Sequence, residues 1–172
     1  VAGSVAGTAG STDDTGSAAE FNDPHGIAFD DTRELLYVAD TGNHILRQIN
    51  ISTAAVILMA GTVGTPGTSD NSDPLAATLT APYHLAISPD ATALYWTEPS
   101  VFLVRMMALP SGAVALVKGT TQGTSATQFS SPHGIAINEV GNTLFISDAD
   151  TNAIRTLTNS GSWGSISTLS GD

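Results

Sequence analysis

The sequence predicts an all-β protein assembled from three copies of one four-stranded unit, and three observations lead to this prediction. The composition favours turns, with 17 glycines among 172 residues and only 12% charged residues. No segment shows the run of good helix formers at helical spacing that an amphipathic helix requires. A pattern of apolar strands and turn residues recurs three times along the chain, which is typical of repeat architectures.

The recurring segment runs from a proline through an acidic residue to an arginine. In all three copies the acid lies sixteen residues after the proline, and the arginine lies seven residues after the acid. The variation in length falls between the copies, where loops tolerate insertions. These spacings indicate one structural unit repeated. The three sets are Pro24, Asp40 and Arg47; Pro82, Glu98 and Arg105; and Pro132, Asp148 and Arg155.

Each copy predicts four short strands separated by turn residues. In the first copy the strands are expected at 27–29, 35–39, 44–49 and 55–59. These segments are rich in apolar β-formers, and clusters of Asp, Asn, Gly, Ser and Thr divide them. Four antiparallel strands in every ~50 residues are typical of a propeller blade. We therefore predict a single β-propeller domain with blades over residues 8–61, 62–119 and 120–172, and a partial outer strand over 1–7.

The motif residues resemble the NHL repeat. The first copy carries Pro24-His25-Gly26-Ile27-Ala28, then Asp40-Thr41-Gly42-Asn43-His44, and ends in Ala60-Gly61. The third copy has Ala153 in place of the second histidine. The second copy departs most, because Tyr83-His84 replaces His-Gly and Glu98-Pro99-Ser100 replaces Asp-Thr-Gly. The resemblance implies an NHL-type propeller, a class that serves as platforms for proteins, RNA or glycans and has lyases and hydrolases among its relatives.

Three blades form only half or a segment of a propeller, since the resemblance implies about six blades in a closed ring. Each terminal blade is then expected to leave an apolar face uncovered. Three arrangements would cover these faces: two chains paired into one ring, further blades outside this sequence, or copies stacked head to tail. The two chain ends have matching repeat phase, which suits all three.

The three histidines His25, His84 and His133 lie just before the innermost strands of successive blades. Imidazoles from adjacent blades can converge on a metal at the central channel, as in some lyases related to NHL proteins. The alternative is that Pro-His-Gly is the signature of the repeat itself and packs between blades. We favour this structural role and predict no metal site and no cofactor.

The acids Asp40, Glu98 and Asp148 allow a similar choice. They could form a ring of carboxylates, or each could pair with the arginine of its own blade. Their recurrence in every blade favours pairing, because a catalytic group is usually unique. The Asp-rich stretches 11–20 and 62–80 could bind Ca²⁺, although neither has EF-hand spacing, and a solvated loop is the simpler expectation.

The charge balance argues against nucleic-acid binding. The net charge is −11, from sixteen acids against five bases, and the single lysine is Lys118. A nucleic-acid surface needs clustered Lys and Arg, so we expect no nucleic-acid binding. No apolar run approaches the ~20 residues of a membrane span.

Two residues are candidates for contacts or modification. Asn50 begins the N-glycosylation sequon Asn50-Ile51-Ser52 on a predicted turn. Trp163 lies in a glycine- and serine-rich hairpin turn and is expected to be exposed, as a possible contact residue. Trp96 occupies a strand position and is expected to lie in the core.

The functional prediction is a non-enzymatic extracellular or cell-surface scaffold, in which no catalytic residue is assigned. Its blades are expected to associate with further copies, as a homo-oligomer or a filament, or with partner chains. Attached glycans are a separate expectation. The alternative is half of a metal-dependent propeller lyase or lactonase-like hydrolase with a site at the central channel.

Overall fold

The computed structural model describes residues 2–110, 112–125 and 127–170, and it contains three four-stranded antiparallel sheets. The strand order in each sheet follows the chain. Blade 1 comprises β1 (Pro24–Asp30), β2 (Leu35–Asp40), β3 (Ile45–Asn50) and β4 (Val56–Ala60). Blade 2 comprises β5 (Leu85–Ile87), β6 (Ala93–Glu98), β7 (Leu103–Ala108) and β8 (Val114–Lys118). Blade 3 comprises β9 (Pro132–Ile137), β10 (Thr143–Asp148), β11 (Ala153–Thr158) and β12 (Ser167–Ser170).

These sheets confirm the predicted fold class of three consecutive four-stranded blades. Over the described residues, the remaining regular structure is limited to single-turn 3₁₀ segments at Gly16–Ala18, Thr41–Asn43, Pro99–Val101 and Ala149–Thr151. Within the described parts of the chain, no helix has the length and apolarity that crossing a bilayer requires.

The turn between the second and third strands explains the seven-residue spacing from acid to arginine. In blade 1 a 3₁₀ turn follows Asp40 and closes at His44, which adopts a left-handed conformation with φ of 60°. The returning strand then pairs Val38 with Arg47. Asp40 and Arg47 therefore lie diagonally on the same face of the sheet, within reach of each other. Phe102 and Asn152 close the corresponding turns with φ of 63° and 52°.

The hydrophobic core consists of two layers, one between each pair of adjacent blades. Between blades 1 and 2, Tyr37 and Leu46 pack with Trp96 and Met107. Trp96 is fully buried, which confirms its expected place in the core. Between blades 2 and 3, side chains of both sheets pack around the linker residue Phe129. This second layer includes Tyr95, Val104, Leu144, Ile146 and Leu157.

The segment before blade 1 differs from the predicted partial outer strand. Residues 2–7 form no strand, and the Gly7 N–H instead closes a turn by donating to the Ser4 carbonyl at 3.2 Å. Gly3 and Gly7 have φ of 111° and 68°, values that an extended strand does not allow. Val1 lies outside the described residues.

Candidate functional site

Each blade holds a buried arginine on its third strand, and in blade 1 this arginine ties the preceding linker to the sheet. Arg47 lies 3.2 Å from Asp40 through Nη1 and 2.6 Å from Asp13 Oδ1 through Nη2. Nη2 also donates to the Thr12 carbonyl at 3.0 Å. Asp13 in turn accepts a hydrogen bond of 2.9 Å from the Leu58 N–H on β4. The linker aspartate thus bridges the arginine and the outer strand.

Blade 2 repeats this arrangement. Arg105 lies 3.2 Å from Glu98 and 2.8 Å from Asp70, and it donates to the Thr78 carbonyl at 2.7 Å. Asp70 accepts from the Leu116 N–H at 2.8 Å. The aspartates of the two Asp-rich stretches therefore have structural partners, which sequence reasoning missed. A signal was present, because Asp13 and Asp70 precede their arginines by 34 and 35 residues.

Blade 3 departs from the pattern because its linker has no aspartate at this place. Arg155 Nη2 donates instead to the Thr124 and Ser125 carbonyls, both at 3.1 Å. The distance from Arg155 Nη1 to Asp148 Oδ2 is 4.0 Å, and this buried oxygen accepts no hydrogen bond. The third acid–arginine pair is therefore looser than the first two.

The three acids also fix the backbone that leads into each innermost strand. Asp40 accepts from the Asn22 N–H at 2.7 Å, Glu98 from the Thr80 N–H at 3.1 Å, and Asp148 from the Ser130 N–H at 2.9 Å. Each donor lies two residues before the proline that opens the repeat. Burial raises the pKa of the Asp40 and Glu98 carboxyls, although their arginines favour the ionised form. The arginine pairing predicted for the acids is thus observed closely in blades 1 and 2.

The histidines of the three blades gather around Tyr83. The Tyr83 ring centroid lies 4.3 Å from that of His25 and 5.2 Å from those of both His84 and His133. Tyr83 occupies the position that His25 and His133 hold in the other blades. The site is partly open to solvent, since His25 and His84 are exposed and Tyr83 and His133 are half-buried.

The imidazoles pack on a phenol ring rather than around a common point. His25 Nε2 lies 3.3 Å from Asp23 Oδ2, and His133 Nδ1 lies 3.0 Å from the Ser131 carbonyl. Over the described ranges, no group of three or more His, Asp or Glu side chains has a metal-binding arrangement. The cluster can offer aromatic surface and hydrogen-bonding nitrogens to a ligand, and its second-blade tyrosine makes it asymmetric.

Hydrogen bonds between innermost strands join the blades at two seams. At the first seam the Gly26 N–H donates directly to the Tyr83 carbonyl at 2.7 Å. At the second seam a hydroxyl intervenes: the His84 N–H donates to Thr97 Oγ1 at 3.2 Å, and Thr97 Oγ1 donates to the His133 carbonyl at 2.6 Å. The blades are therefore joined by backbone groups as well as by apolar side chains.

The face that blade 3 turns away from blade 2 is open. Tyr37, Leu46 and Met59 of blade 1, and their equivalents Tyr95, Val104 and Val117 of blade 2, are buried in the layers between blades. The blade 3 equivalents are Phe145, Ile154 and Leu169, which we call the outgoing face. Phe145 is half-buried, and Ile154 and Leu169 are 36% and 61% exposed.

The opposite face of blade 1 is open in the same way. Ile27 and Phe29, which we call the incoming face, are 62% and 47% exposed. The blade 2 equivalent of Ile27 is Leu85, which packs against blade 1 and is 7% exposed. Among the described residues, both terminal blades thus present apolar side chains that an adjacent blade covers elsewhere in the same molecule.

The two single-residue candidates lie at the edges of blades. Asn50 ends β3, and its Oδ1 accepts hydrogen bonds from the N–H and hydroxyl of Thr53 at 2.9 and 3.0 Å. Trp163 is half-buried, where exposure was expected. Its bridge to Asn159 folds the turn back, and its ring packs edge-on against Tyr95 at 5.5 Å. Part of Trp163 therefore joins the second core layer.

Comparison with known proteins identifies the repeat. Residues 21–49 match the family model of the NHL repeat. The chain is 30% identical over 163 residues to the Arabidopsis thaliana protein named Protein SUPPRESSOR OF QUENCHING 1, chloroplastic, covering 88% of this chain and 15% of that protein. It is 29% identical over 108 residues to human NHL repeat-containing protein 2, covering 63% of this chain and 15% of the relative. The chain thus spans about a seventh of the length of these relatives.

Solved structures support the fold. A chain of the nidogen/laminin complex superposes with a TM-score of 0.65 at 14% identity, over 88% of this chain and 49% of that chain. Virginiamycin B lyase from Staphylococcus aureus superposes with a TM-score of 0.56 at 18% identity, over 84% of this chain and 40% of the lyase. At these identities the likeness concerns architecture alone.

Proposed function

We propose that this chain, a member of the NHL-repeat β-propeller family, is a non-enzymatic interaction module that assembles with further copies or partner chains through its terminal blades. The observation that carries the proposal is the contrast between equivalent positions. Met59 and Val117 are each 7% exposed in the layers between blades, whereas the equivalent Leu169 is 61% exposed. This contrast supports docking of another blade at the outgoing face.

The energetic case follows from the apolar area involved. Fully burying one Leu, Ile or Phe side chain contributes about 1.5–3 kcal/mol. The outgoing face offers three such side chains and the incoming face two, and contiguous apolar patches of this kind mark interaction sites. Part of that gain is offset by the entropy lost on association, so the affinity depends on how well the facing blades pack.

Association is tested by light scattering of the purified chain over a range of concentrations. We expect species larger than the 17.5 kDa monomer, and their fraction is expected to rise with concentration. The substitution Leu169→Asp on the outgoing face should reduce this fraction, whereas Ser162→Asp in an exposed turn should not. A monomer at every concentration would argue against self-assembly.

The non-enzymatic part of the proposal is supported by how the chemistry-bearing groups are used. The acids hold linker backbone, and the histidines pack on Tyr83. A metal-dependent lyase or hydrolase would instead need His25, His84 and His133 to turn toward one ion. Zinc titration followed by calorimetry distinguishes these functions, because we expect no stoichiometric binding. One equivalent of bound zinc, lost in a His25→Ala/His133→Ala variant, would favour the enzyme.

Location outside the cell is supported by the Asn50 sequon and by the scarcity of lysine. The positions equivalent to Asn50 are Ala108 and Thr158, and both are exposed. Ala108 remains exposed although blade 1 covers the adjoining face of blade 2, so a glycan on Asn50 would not obstruct a neighbouring blade. Expression through a secretory pathway should give a glycosidase-sensitive mass shift that Asn50→Gln abolishes. An unshifted secreted protein would argue against modification at this residue.

A further inference from the structure

The innermost strands show two ways of joining one blade to the next. At the first seam, Ala39 occupies the position on the second strand that holds a hydroxyl residue in the other blades. The Gly26 N–H there donates directly to the Tyr83 carbonyl. At the second seam the equivalent residue is Thr97, whose hydroxyl accepts from the His84 N–H and donates to the His133 carbonyl. The hydroxyl thus acts as a relay between two backbone groups of adjacent blades.

Blade 3 contains the first half of the same relay. The residue equivalent to Thr97 is Ser147, and its Oγ accepts a hydrogen bond of 2.8 Å from the Gly134 N–H. Gly134 is the equivalent of His84. In blade 2 the second half of the relay runs to the carbonyl of His133 on the next blade, and the residue equivalent to His133 in blade 1 is His25.

Resting on the proposed function, we infer that blade 1 of a second copy of this chain docks on the outgoing face, and that Ser147 Oγ completes its relay by donating to the carbonyl of His25 of that copy. The seam then continues, residue for residue, the interface that blades 2 and 3 already form. The docking blade is therefore defined by the position of its backbone carbonyl and by its pattern of apolar side chains, in addition to its hydrophobicity.

The incoming face fits this role position by position. Ile27 has the equivalents Leu85 and Ile135, which are apolar and face the preceding blade in the internal seams. Phe29 has the equivalents Ile87 and Ile137, which do the same. The two open faces therefore differ from each other but match the two sides of an internal seam.

A contact between two different faces is heterologous, so it can close into a ring or continue as a filament. It also makes a prediction about mixtures that a contact between two identical faces does not make. A chain with a blocked incoming face keeps its outgoing face, and a chain with a blocked outgoing face keeps its incoming face.

The first experiment uses this complementarity. Phe29→Asp blocks the incoming face, Leu169→Asp blocks the outgoing face, and both residues are already exposed, so folding is expected to survive and is checked by circular dichroism. By light scattering, each variant alone should be a monomer, and an equimolar mixture should form a 1:1 dimer. Self-association of Phe29→Asp alone, or the absence of a mixed dimer, would overturn the seam while leaving association through other surfaces intact. A monomeric unmodified chain would instead overturn self-association as a whole, which is the part of the proposed function on which this inference rests.

The second experiment addresses the relay. Ser147→Ala removes the hydroxyl, and Ser147→Thr supplies the side chain that serves at the second seam. Because one hydrogen bond contributes a net ~1 kcal/mol, the alanine variant should weaken the mixed dimer, which has one such seam, about fivefold. The threonine variant should restore affinity, and Ser162→Ala, in an exposed turn, should not change it. Equal affinity of the mixed dimer with Ser147→Ala and with Ser147 intact would overturn the role of Ser147.

Discussion

The first seam leaves no room for a side chain at Gly26, and the substitution Gly26→Ala tests how the blades are held together. A Cβ atom at this position would collide with the Tyr83 carbonyl oxygen and would lie 2.7 Å from His84 Cα and 3.0 Å from the Leu85 nitrogen. All three are backbone atoms of the neighbouring blade. They cannot rotate away, so blades 1 and 2 must separate.

The magnitude follows from three contributions. Overpacking in a well-packed interface costs about 1–3 kcal/mol. Separation of the strands also weakens the 2.7 Å hydrogen bond from Gly26 to Tyr83, which costs about 1 kcal/mol. Alanine restricts the unfolded chain and returns about 0.4–1 kcal/mol. The expected net loss in the free energy of unfolding is about 1–3.5 kcal/mol.

Blade 3 provides the matched control. A Cβ on Gly134 would meet only the Ser147 side chain, with Oγ at 3.0 Å, and the end of a side chain can shift by the few tenths of an ångström required, which a backbone atom of another blade cannot. The equivalent position in blade 2 is His84, which already carries a full side chain. We therefore expect Gly134→Ala to change the free energy of unfolding by less than about 1 kcal/mol.

Urea unfolding followed by tryptophan fluorescence measures both variants. In a Trp163→Phe background the remaining tryptophan is Trp96, which is fully buried in the layer between blades 1 and 2. Its transition should move to lower urea in Gly26→Ala and stay in place in Gly134→Ala. Equal midpoints for the two alanine variants would show that the first seam is not as close as the structure has it.

Two further predictions concern ionisable groups. Burial, together with the charge of Asp30, raises the pKa of Tyr37 to about 12 from an ordinary 10.0, so its contribution to stability is complete below pH 10 and is lost as the pH rises toward 12. Between pH 9 and 11.5 the unmodified chain should lose about 2 kcal/mol more stability than Tyr37→Phe in urea titrations; parallel pH profiles would contradict the burial of the phenol. Asp70→Ala should lower the free energy of unfolding by about 1–2 kcal/mol, since it removes bonds to Arg105 and to the Leu116 N–H, whereas Asp31→Ala on the surface should change it by less than about 0.5 kcal/mol. Equal effects of the two aspartate substitutions would argue against the linker bridge.

The fold could be predicted because the repeat carries its own spacing. The distances from proline to acid and from acid to arginine correspond to real geometry, in which Asp40 and Arg47 lie diagonally on adjacent strands. The continuous apolar run of β2 is likewise consistent with a strand that is buried on both faces. Strand ends were less predictable: the innermost strands begin earlier than expected, at Pro24 and Pro132, which are first residues of edge strands, where proline is tolerated.

The candidate site was less predictable because it depends on contacts between distant segments. The residues around Asp13 and Asp70 were expected to be solvated loops, and the similar spacing to an arginine more than thirty residues away is recognisable only when the blades are compared. The packing of Trp163 on Tyr95 was missed for the same reason, since a glycine-rich turn gives no sign of the blade it folds against. Local patterns specify strands and turns, whereas the linkers are placed by the sheets they cross.

In a repeat protein, each position can be compared with its equivalents in the other blades. A departure from the shared pattern is therefore informative. A side chain that recurs in all three blades, such as the buried arginine, is accounted for by the blade itself. Tyr83 departs from the histidine pattern at the centre of the cluster and makes that surface asymmetric. Ser147 departs in another sense. Like Thr97, it accepts a hydrogen bond from a backbone N–H of its own blade, but Thr97 also donates to a carbonyl of the next blade. The first departure indicates a surface specific to this chain, and the second lies at the face on which we propose that a second copy docks.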